Sequence, residues 1–219
     1  MKKTILKADN IIKNYGDLNV LKGANLTVNE GEIISIVGAS GAGKTTFLQI
    51  LGTLETPDSG NLIIKDTNTT TLSDNKLSAF RNEHIGFIFQ FHQLLPEFTA
   101  LENICIPAYI KGESRALAEK KAAKLLELLN LTNRSNHKPS QLSGGEQQRI
   151  AVARALINSP SIIFADEPSG NLDSKSSKEL HQLFFTLRDS IGTSFVIVTH
   201  NEELANMTDR KMTIVDGII

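Results

Sequence analysis

An α/β fold built on a parallel sheet is what this 219-residue sequence predicts. Three observations carry that expectation. The apolar runs at 33–37, 162–165 and 195–198 are continuous rather than alternating, as strands covered on both faces must be. The first run passes through a glycine-rich loop directly into a helix-compatible stretch at 46–51. Between the strand-like runs lies a stretch of strong helix formers at 115–129, which reads as an α-helical insertion.

The remaining elements follow in order. Asn61-Leu62-Ile63-Ile64 is a β-type run, and Pro57-Asp58-Ser59-Gly60 is the turn before it. Ile85 to Phe89 is another strand. The 115–129 stretch has apolar residues at three- and four-residue steps, with Ser114 as its N-cap, and a further helix follows Gly145. Asp216-Gly217 is a turn between 212–215 and a short last strand at 218–219.

Composition narrows the function classes. The chain is 40% hydrophobic and 21% charged, as a globule with a real core requires. With 23 basic and 24 acidic residues the net charge is −1, so bulk attraction to nucleic acid or to an anionic membrane is not implied, and no nucleic-acid partner is expected. The single cysteine, Cys105, permits no intrachain disulfide, fits a reducing compartment and reads as a small buried apolar residue. The start, Met1 to Asp9, is basic but lacks a signal-peptide apolar region, and no stretch approaches the roughly 20 apolar residues of a membrane span. A cytoplasmic protein is expected, and any membrane role would need a partner.

Gly38-Ala39-Ser40-Gly41-Ala42-Gly43-Lys44-Thr45 fits the phosphate-loop pattern G-x-x-x-x-G-K-[ST]. Its glycines let backbone N–H groups turn inward around a polyphosphate, and the following helix adds its positive end. Lys44 is suited to neutralise the β/γ oxygens and the Thr45 hydroxyl to ligate Mg²⁺. Ser161 to Pro168 is an apolar strand ending in two carboxylates; Asp166 suits the metal shell and Glu167 suits polarising an attacking water. By itself this could also be a strand end with exposed acids. Leu142-Ser143-Gly144-Gly145-Glu146-Gln147-Gln148-Arg149 reads either as a second anion-binding helix start or as a plain helix capped by Ser143.

A phosphate loop, then Leu-Ser-Gly-Gly, then a strand ending Asp-Glu, then a lone histidine resembles the ATP-binding cassette ATPases over nearly all of the chain. The resemblance implies a P-loop NTPase fold: a parallel-core sheet, an antiparallel β subdomain and an inserted α-helical subdomain. It implies a single cassette over 1–219, with the core and β subdomain at 1–90 and 159–219 and the helical subdomain at 91–158. ATP with Mg²⁺ would be held by Gly38, Ala39, Ser40, Gly41, Ala42, Gly43, Lys44, Thr45 and Thr46. Tyr15 would stack on adenine, Gln90 would sense Mg²⁺ and γ-phosphate beside Thr45 and Asp166, and His200 would contact the γ-phosphate with Glu167, Lys44 and Gln90 in catalysis. Ser143, Gly144 and Gly145 would complete the site of a second copy in a head-to-tail homodimer, and Asp173 in Ser169-Gly170-Asn171-Leu172-Asp173 would cross the interface.

The segment from Gln90 to Asn103 would receive integral membrane subunits. Its wording, with Leu94-Leu95-Pro96-Glu97-Phe98-Thr99-Ala100-Leu101-Glu102-Asn103, is similar to ATPase subunits of lipoprotein-releasing systems, as are Pro139-Ser140-Gln141 and Glu146. Ser169 departs from the threonine frequent in that group. The implied activity is ATP hydrolysis driving lipoprotein release through a transmembrane partner, from a peripheral position on the cytoplasmic face of the inner membrane. The alternatives are a macrolide-exporter-type or cell-division-type mechanotransmission ATPase, a soluble cassette ATPase, and a P-loop kinase or non-hydrolysing nucleotide-binding module.

Overall fold

The computed structural model describes residues 3–219; Met1 and Lys2 of the basic start lie outside the described residues. In chain order the elements are β1 (Thr4–Tyr15), β2 (Leu18–Asn29), β3 (Ile33–Val37), α1 (Lys44–Leu51), β4 (Ser59–Ile64), β5 (Thr67–Asn68), α2 (Asp74–His84) and β6 (Ile85–Ile88). There follow α3 (Ala100–Ile110), α4 (Arg115–Leu128), α5 (Gly144–Leu156), β7 (Ile162–Asp166), α6 (Ser174–Ile191), β8 (Ser194–Val198), α7 (Glu202–Met207) and β9 (Arg210–Thr213).

Five strands form the central sheet in the order β6-β7-β8-β3-β9, and each neighbouring pair is parallel. The continuous apolar runs explain themselves here. Successive side chains of a strand face opposite sides, so both sides must be buried. Ile34 and Ile36 of β3, Ile162 and Phe164 of β7, and Val196 and Val198 of β8 enter one core. Their alternates Ile33, Ile163, Ala165, Phe195 and Ile197 enter another on the opposite face, against Phe184 and Leu187 of α6.

The first core is closed by a second, antiparallel sheet in the order β2-β1-β4-β5 and by α1. The run at 61–64 belongs to this sheet, with Leu6 opposite Ile64. Ala24, Leu26 and Val28 of β2 alternate with exposed residues, but β1 shows no such pattern because the β1–β2 register shifts repeatedly, including between Ala8 and Ile11, where Asn10 takes φ 52°. Each shift reverses which alternate residue faces inward.

The helices α3, α4 and α5 pack into a third core, through Ile104, Ala108, Ala122, Leu126, Ile150 and Ala153. Cys105 lies fully buried in this core, as its apolar surroundings predict. α3 starts with a reciprocal capping box between Thr99 and Glu102. Buried Asn103 ties the preceding loop to this helix: it accepts from Leu95 N at 2.8 Å, and its amide faces the carbonyls of Leu95, Phe98 and Thr99. Ser114 caps α4 as expected, and the Asp216-Gly217 turn closes a bridge between Val215 and Ile218. Among the described residues no helix is long and apolar enough to cross a membrane.

Candidate functional site

Parallel strands place their C-terminal ends on one edge of the sheet, and the residues that leave those ends converge there. β3 delivers the loop from Gly38 to Gly43, β7 delivers Asp166 and Glu167, and β8 delivers Thr199 and His200. The loop is shaped by glycine. At Gly38 a Cβ would lie 2.4 Å from the Ile214 carbonyl oxygen, so no side chain fits. Gly43, at φ 99°, opens α1 with no side-chain cap, which leaves the positive end of that helix to the cavity in front of it.

Lys44 curls back over this loop, its ammonium donating to the carbonyls of Gly38 at 2.9 Å and Ala39 at 2.8 Å. The Thr45 hydroxyl donates to Asp166 Oδ1 at 3.4 Å, joining α1 to the end of β7. A cavity of about 350 Å³ lies against this loop and the start of α1, lined by Ser40, Gly41, Lys44, Thr45, Thr46 and Glu167 among others.

Burial raises the Asp166 carboxyl above the usual range; the Thr45 hydrogen bond opposes this, the neighbouring Glu167 adds to it, and Lys44 again opposes it. A carboxylate so placed gains from a nearby cation. With the Thr45 hydroxyl beside it, the donors are the hard oxygens that Mg²⁺ prefers. The residues present therefore fit a magnesium polyphosphate.

Glu167 sits just past the strand end with φ 45°, an unusual value for a non-glycine residue. Its amide is held by the Val198 carbonyl at 2.9 Å. Its Oε2 receives the His200 backbone N–H at 3.2 Å and lies 2.9 Å from His200 Nδ1. Gln90, two residues beyond β6, donates to Asn171 Oδ1 at 3.3 Å, and the Asn171 amide donates back to the Gln90 carbonyl at 3.2 Å.

Of Glu167, His200 and Gln90, only Glu167 lines the cavity around Lys44; His200 lines a neighbouring cavity that also meets Glu167, Gln90 lines neither, and the other expected residues lie apart. Ser143 caps α5 in a reciprocal box with Glu146, so the plain-cap reading of the sequence describes its hydrogen bonding. Neither Ser143, Gly144 nor Gly145 lines the cavity around Lys44. They abut the start of α6 instead: a Cβ on Gly145 would lie 3.0 Å from Ser176 Oγ. Asp173 caps α6 through the amides of Lys175 and Ser176, and the Ser176 hydroxyl bond holds its carboxyl below the usual range. Tyr15 closes β1, about half exposed, with the Lys13 ammonium 5.3 Å from its ring centre.

Three polar residues that sequence reasoning did not single out lie around this edge. Gln148 is fully buried in α5, Asn171 pairs with Gln90, and buried His181 of α6 meets Ser169 Oγ at 2.9 Å. Gln148 had a readable signal. It lies three and four residues before Ala151 and Val152, on a helix face that is otherwise apolar.

Comparison with known proteins agrees with this geometry. The family model described as ABC transporter matches residues 21–170. The lipoprotein-releasing system ATP-binding protein LolD of Bacteroides thetaiotaomicron is 59% identical over 98% of this chain and 99% of its own length. The protein of the same name from Cytophaga hutchinsonii is 60% identical over 98% of each. Among solved structures, the dimeric post-hydrolysis state of the ATP-binding cassette MJ0796, bound to ADP and Pi, has a TM-score of 0.89 and 40% identity over 98% of this chain and 96% of that one. The phosphate loop, the paired acids at a strand end and the Leu-Ser-Gly-Gly at a helix start therefore sit in the fold the resemblance implied, and this chain belongs to the ABC transporter family as one of its ATP-hydrolysing cassettes.

Proposed function

We propose that this chain is the ATPase subunit of a lipoprotein-releasing complex, working as a head-to-tail homodimer beneath integral membrane subunits on the cytoplasmic face of the inner membrane. The observation that carries this reading is the 59–60% identity to two proteins named LolD over 98% of the chain.

The residue roles are those the family resemblance implies, and the placement of the phosphate loop, Thr45, Asp166 and Glu167 supports them. The glycine-bounded loop from Gly38 to Gly43, Lys44, Thr45 and Thr46 hold the phosphates of ATP, and Tyr15 packs on the base. Thr45, Asp166 and Gln90 hold Mg²⁺, which when bound neutralises charge on the transferred phosphoryl group. Glu167 polarises the attacking water. His200, through its contact with Oε2, keeps that carboxylate turned to the cavity and meets the γ-phosphate. The Ser143–Gly145 corner lies outside its own chain's cavity, which fits a role in the site of a second copy, with Asp173 at the interface.

A groove of about 440 Å³ lies between Leu54, Phe87, Phe89, Gln93, Pro107 and Ile110. With exposed Phe91, Leu95 and Phe98 nearby, it suits an apolar segment of the membrane subunits. Affinity purification of the tagged chain from its own cells, in mild detergent, tests the reading. An integral membrane protein should accompany it and raise its ATPase rate; ribosomes or DNA in its place would overturn the proposal.

A further inference from the structure

Gln148 is fully buried, and its side-chain amide points into the gap between two chain segments that both leave the functional edge of the sheet. Its Nε2 donates to the Pro168 carbonyl at 2.7 Å and to the Phe89 carbonyl at 3.3 Å. Pro168 follows Glu167 directly, and Phe89 precedes Gln90 directly. Only the donor end of the amide can face two carbonyl oxygens, so its orientation is fixed by its surroundings.

The other end of the same group shows what the position costs. Gln148 Oε1 is buried with no hydrogen-bond partner among the described residues. The unmet buried carbonyl costs stability, and the donated bonds offset it, since without them the Phe89 and Pro168 carbonyls would lose this donor. What glutamine supplies beyond an apolar side chain is the tie to those two carbonyls. The same helix also grips the far side of Gln90: Arg154 donates to the carbonyls of His92 at 2.9 Å and Gln93 at 2.6 Å. Helix α5, capped by Ser143, thus holds the backbone on both sides of Gln90 and immediately after Glu167.

We infer that Gln148 is a positioning residue: its amide locks the Ser143-capped helix to the backbone beside Gln90 and Glu167, so that the corner expected to meet a partner's nucleotide and the groups expected to act on the chain's own nucleotide keep one registration. The inference rests on the roles assigned to Gln90 and Glu167 under Proposed function. A misplacement of about 1 Å at a reacting group can cost on the order of 100-fold in rate, so loss of a tie this close to Glu167 should appear in turnover.

The test is Gln148→Met, which keeps length and apolar bulk and removes the donor, beside Gln148→His, which keeps one N–H at similar reach, and Glu167→Gln as reference. Steady-state ATPase and thermal unfolding are measured on all three. The expected result is a kcat lower by about 10- to 100-fold for Gln148→Met, with KM for ATP within about twofold and the chain still fully folded at the assay temperature, and most of the turnover retained in Gln148→His. Wild-type kcat in Gln148→Met overturns the inference. So does a loss of kcat that tracks a lowered unfolding midpoint in both Gln148 variants.

Should Gln148→Met not fold, Gln148→Leu, which is apolar, shorter and also lacks the donor, takes its place under the same criteria. Failure of both to fold shows a role in the fold itself and overturns the inference. If Glu167→Gln retains full turnover, the assignment of Glu167 fails; if it is inactive while Gln148→Met is not, only the positioning role fails.

Discussion

Glu167 Oε2 lies 2.9 Å from His200 Nδ1 and also accepts the His200 backbone N–H at 3.2 Å, so one carboxylate oxygen is held twice by a single residue from the neighbouring strand end. The second oxygen has no such partner in this pair and is the one free to meet water. Glu167→Gln keeps the shape and removes the basic carboxylate. Turnover should fall by at least about 100-fold while ATP binding persists. Because the nucleotide then stays intact, gel filtration with ATP should show a dimer; only monomer would count against the two-copy site.

His200→Ala separates the two contacts. The backbone N–H remains and the ring is lost, so Glu167 keeps one anchor. The ring side chain is largely exposed, and its removal should barely move the unfolding midpoint. A kcat about 10- to 100-fold lower, with the chain folded as before, is the expected outcome in a coupled ATPase assay. Unchanged kcat would remove His200 from the mechanism.

Lys44→Ala removes the ammonium that bridges the carbonyls of Gly38 and Ala39. Those carbonyls can turn to water, so folding should survive. Nucleotide binding or turnover should not, since a charge-assisted phosphate contact is worth roughly 1.5–3 kcal/mol, a factor of 10 to 100 or more. Equilibrium binding of a fluorescent ATP analogue checks it, and wild-type hydrolysis would refute the assignment of Lys44.

The central sheet was legible because its chemistry is local. Fully buried strands must be apolar almost throughout, and 162–165 and 195–198 are, while 33–37 admits only Ser35, whose hydroxyl is met by Ala205 and Thr208. The phosphate loop and the paired acids were legible because backbone geometry and metal chemistry restrict residue types at fixed spacing. What the sequence hid is what depends on contacts far along the chain. Gln148 meets Phe89 across 59 residues and Pro168 across 20, and His181 finds Ser169 only through the packing of α6. Strand β1 is obscured by its bulges, and α6, 18 residues long, opens with six polar residues, Ser174 to Glu179, so its apolar face shows only from Leu180 onward.

Glu146 links the helix cap to pH. The Arg134 guanidinium at 2.7 Å, and then the Ser143 backbone N–H at 2.8 Å, hold its carboxyl below the usual range. A carboxyl depressed in the folded state stabilises the fold fully above its ordinary value of 4.5 and loses that contribution as pH falls through the folded value. Gln at this position could keep the cap but not the charge. Glu146→Gln should therefore be about 1 kcal/mol less stable than wild type near neutrality. The two should converge in acid, below the carboxylate range. Urea unfolding across that range checks the sign: a gap that widens on acidification would contradict it.

Ile110 tests the groove. It ends α3, is 72% exposed and lines the cavity with Pro107 and Phe87. A side chain of this size gains little by facing water, and several such groups in one area mark a surface that another apolar surface covers. Ile110→Asp adds a charge at a site already open to solvent, so stability should fall by no more than about 1 kcal/mol, the unfavourable helix C-terminus included. Docking of an apolar segment over the same site would have to strip water from that carboxylate, at a cost of several kcal/mol. Recovery of membrane subunits with the tagged variant should then drop by tenfold or more, about 1.4 kcal/mol or greater. Full recovery with an unchanged midpoint would show that the membrane subunits dock elsewhere on the cassette.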